Sequence, residues 1–347
     1  MPPSAMQAIH LPAFNLSPSS LVPSSVPTPQ PTADEYLVRI THCSPQHADI
    51  LHANGKHQNV HAKRGHVHPP FILGYDFAGT IEKLPSSNAE GSDLKEGDRV
   101  IGGRIGAFAE YIAVPRSAIR RVPDELDSAS ACAMHGVAVS YASVVEVARV
   151  KQGETVLVSG ASGGLGSACC MVAKAVGAKV IALAGDEEKA KAMRRDMDVD
   201  AVIVNAGDWI QRVLDFTGGR GVDAVLDNTG MVNDAIRCCA YAGTIVILGF
   251  AARGGVMEDV KMNRLLLKSI TVIGYRYGES GRRFPKQMDE IWDGYLKMLT
   301  DGKLKALLYG KYEGLSSMGR ALKDLEERKV YGKIVVSVGE EAMRPKL

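Results

Sequence analysis

The sequence predicts an α/β protein, a doubly wound parallel sheet beside a second, β-rich domain. Three observations carry this. Between residues 155 and 274 short Val/Ile/Leu runs alternate with segments of helical spacing, the pattern of a parallel sheet with crossover helices. Those runs are continuously apolar, as in strands covered on both faces. The first of them leads directly into a glycine-rich turn that opens a helix.

Residues 6–11 read as a short strand. Residues 15–32, rich in Pro and Ser, read as an irregular loop. Residues 36–41 alternate in the strand manner, and 70–81 and 99–114 hold further strands with Gly turns between them. The character then changes. Residues 128–147 are Ala-rich with helical spacing, 155–159 form a compact apolar strand, and a helix is expected from 167 to 176. Strands at 179–184, 201–204, 222–226, 244–248 and 269–274 alternate with helices at 187–195, 209–217 and 232–241. A helix at 285–300 and a last strand at 334–338 complete the chain.

The 347 residues suffice for about two domains. A hydrophobic fraction of 46% with 23% charged residues excludes a wholly disordered chain. A net charge of +2 gives no footing for a nucleic-acid or membrane-surface partner. Six cysteines, as two adjacent pairs (Cys169-Cys170 and Cys238-Cys239) and the singles Cys43 and Cys132, make neither a disulfide framework nor a Cys-x-x-Cys motif. A reducing compartment is expected, and with no readable targeting signal a cytoplasmic location. The final Pro345-Lys346-Leu347 loosely resembles a peroxisomal address, a poor match because of its Pro. The uncharged stretches 128–145 and 155–173 read as buried elements rather than membrane spans.

The glycine turn is Ser159-Gly160-Ala161-Ser162-Gly163-Gly164-Leu165-Gly166. Glycines there let the backbone approach a pyrophosphate, and the N–H groups and dipole of the following helix favour its charge. A dinucleotide site is expected. At the end of the next strand, NAD binders usually carry an acid that accepts from the ribose hydroxyls. Here Ala184 stands at that position, followed by Gly185 and Asp186. Nothing at Ala184 repels a 2′-phosphate, and Lys189 lies within reach to pair with one, unless it is simply a solvated helix lysine. NADPH is therefore expected over NADH, with Asp186 working in the opposite sense if it points inward. Asn228, Gly249 and Phe250 fall at strand C-termini, where open α/β sheets bind ligands, although Phe250 reads equally as core.

Beyond these residues the chain resembles the medium-chain dehydrogenase/reductase superfamily, and within it the zinc-free quinone oxidoreductase and enoyl reductase branch. The resemblance runs from about residue 6 to 338. It is carried by Gly74-Tyr-Asp-Phe-Ala-Gly79, Leu94-Lys-Glu-Gly-Asp-Arg-Val100, Gly106-Ala-Phe-Ala-Glu-Tyr-Ile-Ala-Val-Pro115, the glycine turn and Lys329-Val-Tyr-Gly-Lys-Ile334. It implies a GroES-like β-barrel domain from 1–127 and 279–347, an inserted Rossmann domain from 128–278, an active site in the cleft between them, and a homodimer formed through the strand at 269–274. Zinc-dependent relatives carry Cys and His where this chain has Gln46 and Tyr75, so no zinc is expected. Without a metal to acidify an alcohol, the implied reaction is hydride transfer from NADPH to a quinone or to the C=C bond of an α,β-unsaturated carbonyl. A small-molecule quinone or enone is the expected partner.

His57 takes the place of a Tyr found in many relatives, and with Tyr75 and Gln46 it is a candidate for handling the acceptor and its proton. Val139 and Asn205 depart from the Thr and Tyr that relatives carry near the cofactor, Asn205 at a cofactor-binding position. Two other readings stay open: a trans-acting enoyl reductase of a biosynthetic pathway, and a non-catalytic NADPH-binding protein. A zinc alcohol dehydrogenase ranks behind both. Seven of nine histidines fall between His42 and His68: His42, His47, His52, His57, His61, His66 and His68. Gly55, Gly65 and Pro69-Pro70 interrupt regular spacing there, so the tract reads as a loop at the cleft rim rather than a metal site.

Overall fold

Chain reversal in the first third is governed by one long strand, Glu35–Ser44. A computed structural model describes residues 2–15, 17–57, 67–87, 91–252 and 258–339. The chain forms two units, Met1–Gly136 with Leu308–Leu347, and Val137–Leu307. In the first, Glu35–Ser44 pairs antiparallel with Asp76–Lys83 and Tyr111–Pro115, and its end receives Val336–Ser337, with Val336 opposite Cys43. Arg99–Gly103 and Ile119–Arg121 extend the sheet beyond Asp76–Lys83. The strands close around one apolar core that includes Ile9, Val38, Phe77, Phe108 and Ile334.

The Pro/Ser stretch departs from the expected irregular loop. Ser24–Pro27 pairs antiparallel with Ala5–Ala8, Met6 facing Val26, after a short 3-10 turn at Pro18–Ser20. A proline is tolerated because this is a two-stranded edge. Phe108 shapes the approach to the Asp76 strand. Gly74 lies at φ +94°, and a Cβ there would come within 2.1 Å of the Phe108 ring. Only glycine delivers the chain to Tyr75 along this path.

The second unit is a six-stranded parallel sheet ordered Ala201–Val204, Lys179–Ala184, Thr155–Val158, Val222–Asp227, Cys239–Ile247 and Thr271–Gly274. The order reverses between Thr155–Val158 and Val222–Asp227, the switch point where such sheets bind ligands. Thr155–Val158 is buried along its whole length, in agreement with its unbroken apolar run. The predicted fold class, an α/β chain combining a β-rich domain with a doubly wound parallel sheet, is the observed one.

Several boundaries move. The units meet at 136/137 and 307/308 rather than at 127/128 and 278/279. The helix Ser128–His135 packs on Asp76–Lys83 and Arg99–Gly103, which places it in the first unit. The helix Pro285–Thr300 belongs to the second, where Gly294 lies so close to Tyr141 that a Cβ would meet its hydroxyl at 2.1 Å. The expected continuous helix over 128–147 is broken after His135 and resumes as Val139–Tyr141 and a π-turn at Ala142–Val147, bent by 47°. Gly136, in an ordinary right-handed conformation, is the C-cap at the break. This bent pair is long and apolar enough together, but among the described residues no single helix is long and apolar enough to cross a membrane. The helix after the glycine turn starts at Gly164 rather than 167. The helix expected over 232–241 stops at Cys238, because Cys239 already begins the next strand.

All six cysteines are free and buried. Burial pushes their thiols upward, to about 12 for Cys169, Cys238 and Cys239.

Phe108→Ala would remove a fully buried ring from the core and from its contact with Gly74. A loss of about 3–5 kcal/mol is expected in urea unfolding, with the midpoint falling at unchanged slope.

Candidate functional site

Sequence order places the glycine turn at the C-terminal end of Thr155–Val158, and the structure shows why its composition is needed. Gly160 adopts φ +59°. Gly166 lies so near it that a Cβ would stand 2.2 Å from the Gly160 carbonyl oxygen. That contact presses the helix Gly164–Ala175 onto the turn, with Gly163 as its N-cap. The Ala161 N–H is spent on Leu183 and the Gly163 N–H on Gly160. Ser159, Ala161 and Ser162 are buried, and Gly164 and Leu165 begin the helix.

Asp227, which the sequence reading passed over, ties this turn to the next strand. Its carboxylate is fully buried. One oxygen accepts from the Ser159 hydroxyl at 2.8 Å and from the backbone N–H groups of Thr229 and Gly230, each at 3.0 Å. The other accepts from the Met231 N–H at 2.7 Å. Asn228 is therefore held rigidly: its N–H donates to Ser159 Oγ and its Nδ2 to the Ser159 carbonyl, both at 2.9 Å. Among the described residues Asn228 Oδ1 is left buried with no donor. Gly249 closes the same edge through its N–H to Asp227 O, and a Cβ there would lie 3.1 Å from the Asn228 carbonyl. Phe250 is 50% exposed, so it is not core.

Ala184 ends its strand buried, and its carbonyl accepts from the Asn205 N–H at 2.9 Å, which joins these two expected cofactor positions. At Gly185 an added Cβ would meet nothing within 4 Å. Asp186 is the N-cap of Glu187–Asp196, accepting from the Lys189 N–H at 2.8 Å. Lys189 Nζ stands 3.6 Å from the same carboxylate. Asp186 is thus committed to capping its helix and to Lys189.

The first unit carries a buried polar cluster. Asp76, wholly buried at the start of its strand, is its centre. Asp76 Oδ1 lies 2.9 Å from His135 Nδ1, in the last turn of Ser128–His135. Asp76 Oδ2 accepts from Gln46 Nε2 at 3.1 Å and has the Lys333 ammonium 3.7 Å away. Gln46 is the N-cap of His47–Ala53, and its N–H donates to Asp49 at 2.8 Å. Burial raises the Asp49 carboxyl to about 8, with the charge of Asp76 adding to the shift. Tyr75 is 42% exposed and shares a floor with His135: a Cβ on Gly103 would meet the Tyr75 ring at 2.5 Å and the His135 ring at 2.6 Å.

Gln46 and Tyr75 are thereby brought together around Asp76 and His135. His57 instead stacks on His52, ring centroids 3.8 Å apart and nearly parallel. Within the histidine tract, burial lowers His42 and His47 and takes His52 down to about 4, the neighbouring His57 contributing. His68 packs edge-on to Phe14. His61 and His66 lie outside the described residues. Among the described residues no three His, Cys, Asp or Glu side chains converge as a metal-binding group. Sequence reasoning missed Asp76, His135 and Lys333. Asp76 and Lys333 sit inside quoted motifs, and His135 is an isolated ionisable residue in an otherwise uncharged helix. A buried partner was the signal available for each.

Residues 32–124 match the alcohol dehydrogenase GroES-like domain family, and residues 164–293 the zinc-binding dehydrogenase family. The chain is 30% identical over 320 residues to quinone oxidoreductase-like protein 2 of Bos taurus, covering 90% of this chain and 87% of that one. It belongs to the zinc-free quinone oxidoreductase branch of the medium-chain dehydrogenase/reductase superfamily. Solved structures of this superfamily align over nearly its whole length. A probable oxidoreductase from Mycobacterium abscessus superposes with a TM-score of 0.85 at 32% identity, covering 97% of this chain and 100% of that one. A mycobacterial protein complexed with NADPH superposes with a TM-score of 0.83 at 27% identity, covering 96% and 99%. The first unit of this quinone oxidoreductase relative is therefore the GroES-like domain, and the second the Rossmann domain.

Asp227→Ala would strand the buried donors of Ser159, Thr229, Gly230 and Met231. A loss of about 3 kcal/mol in urea unfolding is expected, with weakened dinucleotide binding by fluorescence titration. A second outcome concerns pH. His52 stays neutral in the fold down to about 4, whereas an unfolded imidazole protonates near 6.5. Stability is therefore lost as pH falls through that window. His52→Leu should lose less stability than the wild type between pH 7 and 5, read from thermal midpoints.

Proposed function

We propose that this protein is an NADPH-dependent reductase of quinones or conjugated enones that works without zinc. The observation that carries the reading is the dinucleotide cradle of the Rossmann unit. It combines the Gly160–Gly166 turn, the rigid Asn228 with its unpartnered Oδ1, and a strand end at Ala184 with no carboxylate. These residues fit an NADP-type dinucleotide. The glycine turn and the N-terminus of Gly164–Ala175 would take the pyrophosphate, and Asn228 Oδ1 would accept a hydrogen bond that the protein itself leaves unmade. Lys189 would take the 2′-phosphate by exchanging it for Asp186. The structural relative solved with NADPH supports the same cofactor.

The donor set in the first unit does not fit zinc. A carboxamide and a phenol stand at the positions Gln46 and Tyr75, and Asp76 is already shared by His135, Gln46 and the Lys333 ammonium. Chemistry without a Lewis acid suits an acceptor that is already polarised. When bound, NADPH supplies the hydride. The chain's own residues orient the acceptor and manage a proton, with Gln46 as an amide donor and Tyr75 as an exposed phenol.

Two assignments go with this. Among the described residues no strand pairs with the outer side of the edge strand Thr271–Gly274. Tyr241, Met262, Leu266 and Leu267 are all exposed nearby, which favours a homodimer through that edge. The squalestatin tetraketide synthase of Phoma matches this chain at 27% identity over 285 residues, 79% of this chain and 11% of that one, which keeps a trans-acting enoyl reductase as the second reading.

The test is the initial rate of NADPH oxidation with a planar quinone and with small conjugated enones, NADH in parallel. Turnover preferring NADPH is expected. Lys189→Ala should raise the KM for NADPH about tenfold, on the order of 1.4 kcal/mol, and leave that for NADH unchanged. NADPH binding without turnover on any acceptor would leave a non-catalytic dinucleotide-binding protein.

A further inference from the structure

We propose that His135, aligned by the buried Asp76, delivers the proton to the reduced acceptor, an assignment that rests on the reductase reading above. The geometry is that of an oriented acid. Asp76 is fully buried and begins a strand, while His135 ends a helix packed on that strand, so both backbones are fixed. A carboxylate only accepts, so the 2.9 Å contact places a proton on His135 Nδ1 and makes Nε2 the nitrogen that exchanges protons. Asp76 cannot swing away, because Gln46 and Lys333 hold its second oxygen. The imidazole keeps 12% of its side-chain surface open, enough for an edge to meet a ligand. The ring rests on Gly103 beside Tyr75, whose phenol is exposed. The other histidine considered for this role, His57, is stacked on His52.

The step balances as follows for an enone. A bound NADPH would supply the hydride, which would form a C–H bond at the β-carbon as the C=C π pair moves onto the carbonyl to give an enolate. The Nε2–H bond of the His135 imidazolium then breaks, its proton goes to the enolate, and the nitrogen keeps the electron pair. NADPH would be the two-electron reductant and the enone the species reduced, and solvent would return the proton to the neutral imidazole. Asp76 is a positioning residue: it fixes the ring and its tautomer.

The experiment uses the full chain with NADPH and a cyclic enone bearing a methyl group on its α-carbon, in ordinary and in heavy water. His135→Ala should lower kcat about 100-fold, leave NADPH affinity by fluorescence unchanged, and recover rate when imidazole is added to the buffer. The wild type should place deuterium on one face of the α-carbon, and the variant on both. His135→Gln, which keeps a hydrogen bond to Asp76 but has no transferable proton, should be as slow and guards against a folding defect. Asp76→Asn should lower kcat with less effect on KM. Wild-type kcat and one-faced deuteration in both His135 variants would overturn the proposal while leaving the reductase reading intact. Absence of enone and quinone turnover in the wild type would overturn the reductase reading and this step with it.

Discussion

The Asp76 carboxylate is the constraint around which the first unit is arranged. A fully buried charge is tolerated only when its oxygens are satisfied, and here three side chains from different parts of the chain do so. Gln46 comes from the start of one helix, His135 from the end of another, and Lys333 from close to the C-terminus. The first unit is discontinuous in sequence, and Asp76 is where its two pieces meet through charge. Gly136 belongs to this arrangement as well, since a Cβ there would overlap Asp76 Oδ2 at 2.0 Å. The same glycine ends the helix that presents His135. Packing, helix termination and the placement of an ionisable ring are thus one requirement.

Asp227 plays the parallel role in the second unit with a different chemistry. It is satisfied by hydroxyl and backbone N–H donors rather than by charged side chains. Such a carboxylate freezes the ends of two neighbouring strands at the switch point without adding a positive charge there. A loop locked in advance loses little freedom when a ligand arrives. The cradle is built to be rigid at Asn228 and open at Gly185.

Much of this was legible in the sequence, for physical reasons that also mark where legibility ends. Continuous apolar runs and a strand–glycine–helix transition reveal a parallel sheet and its binding edge, because both are local consequences of burial and backbone geometry. The residues of the glycine turn, Ala184 and Asn228 could be placed at strand ends for that reason. Asp76, His135 and Lys333 could not be singled out, because their significance lies in contacts spanning 59 residues in one case and most of the chain's length in the other. The break after His135 was hidden by the Ala-rich composition on either side of it. The strand Ser24–Pro27 was hidden because its pairing with Ala5–Ala8 overrides a composition that favours loops.

The six cysteines have a consequence for chemical durability. Conjugated carbonyls and quinones are electrophiles that alkylate thiolates, so a protein that turns them over works among agents able to inactivate it. Every thiol here is buried and held in its protonated, unreactive form by the loss of water around it. The core that stabilises the fold also keeps its nucleophiles out of reach of such electrophiles.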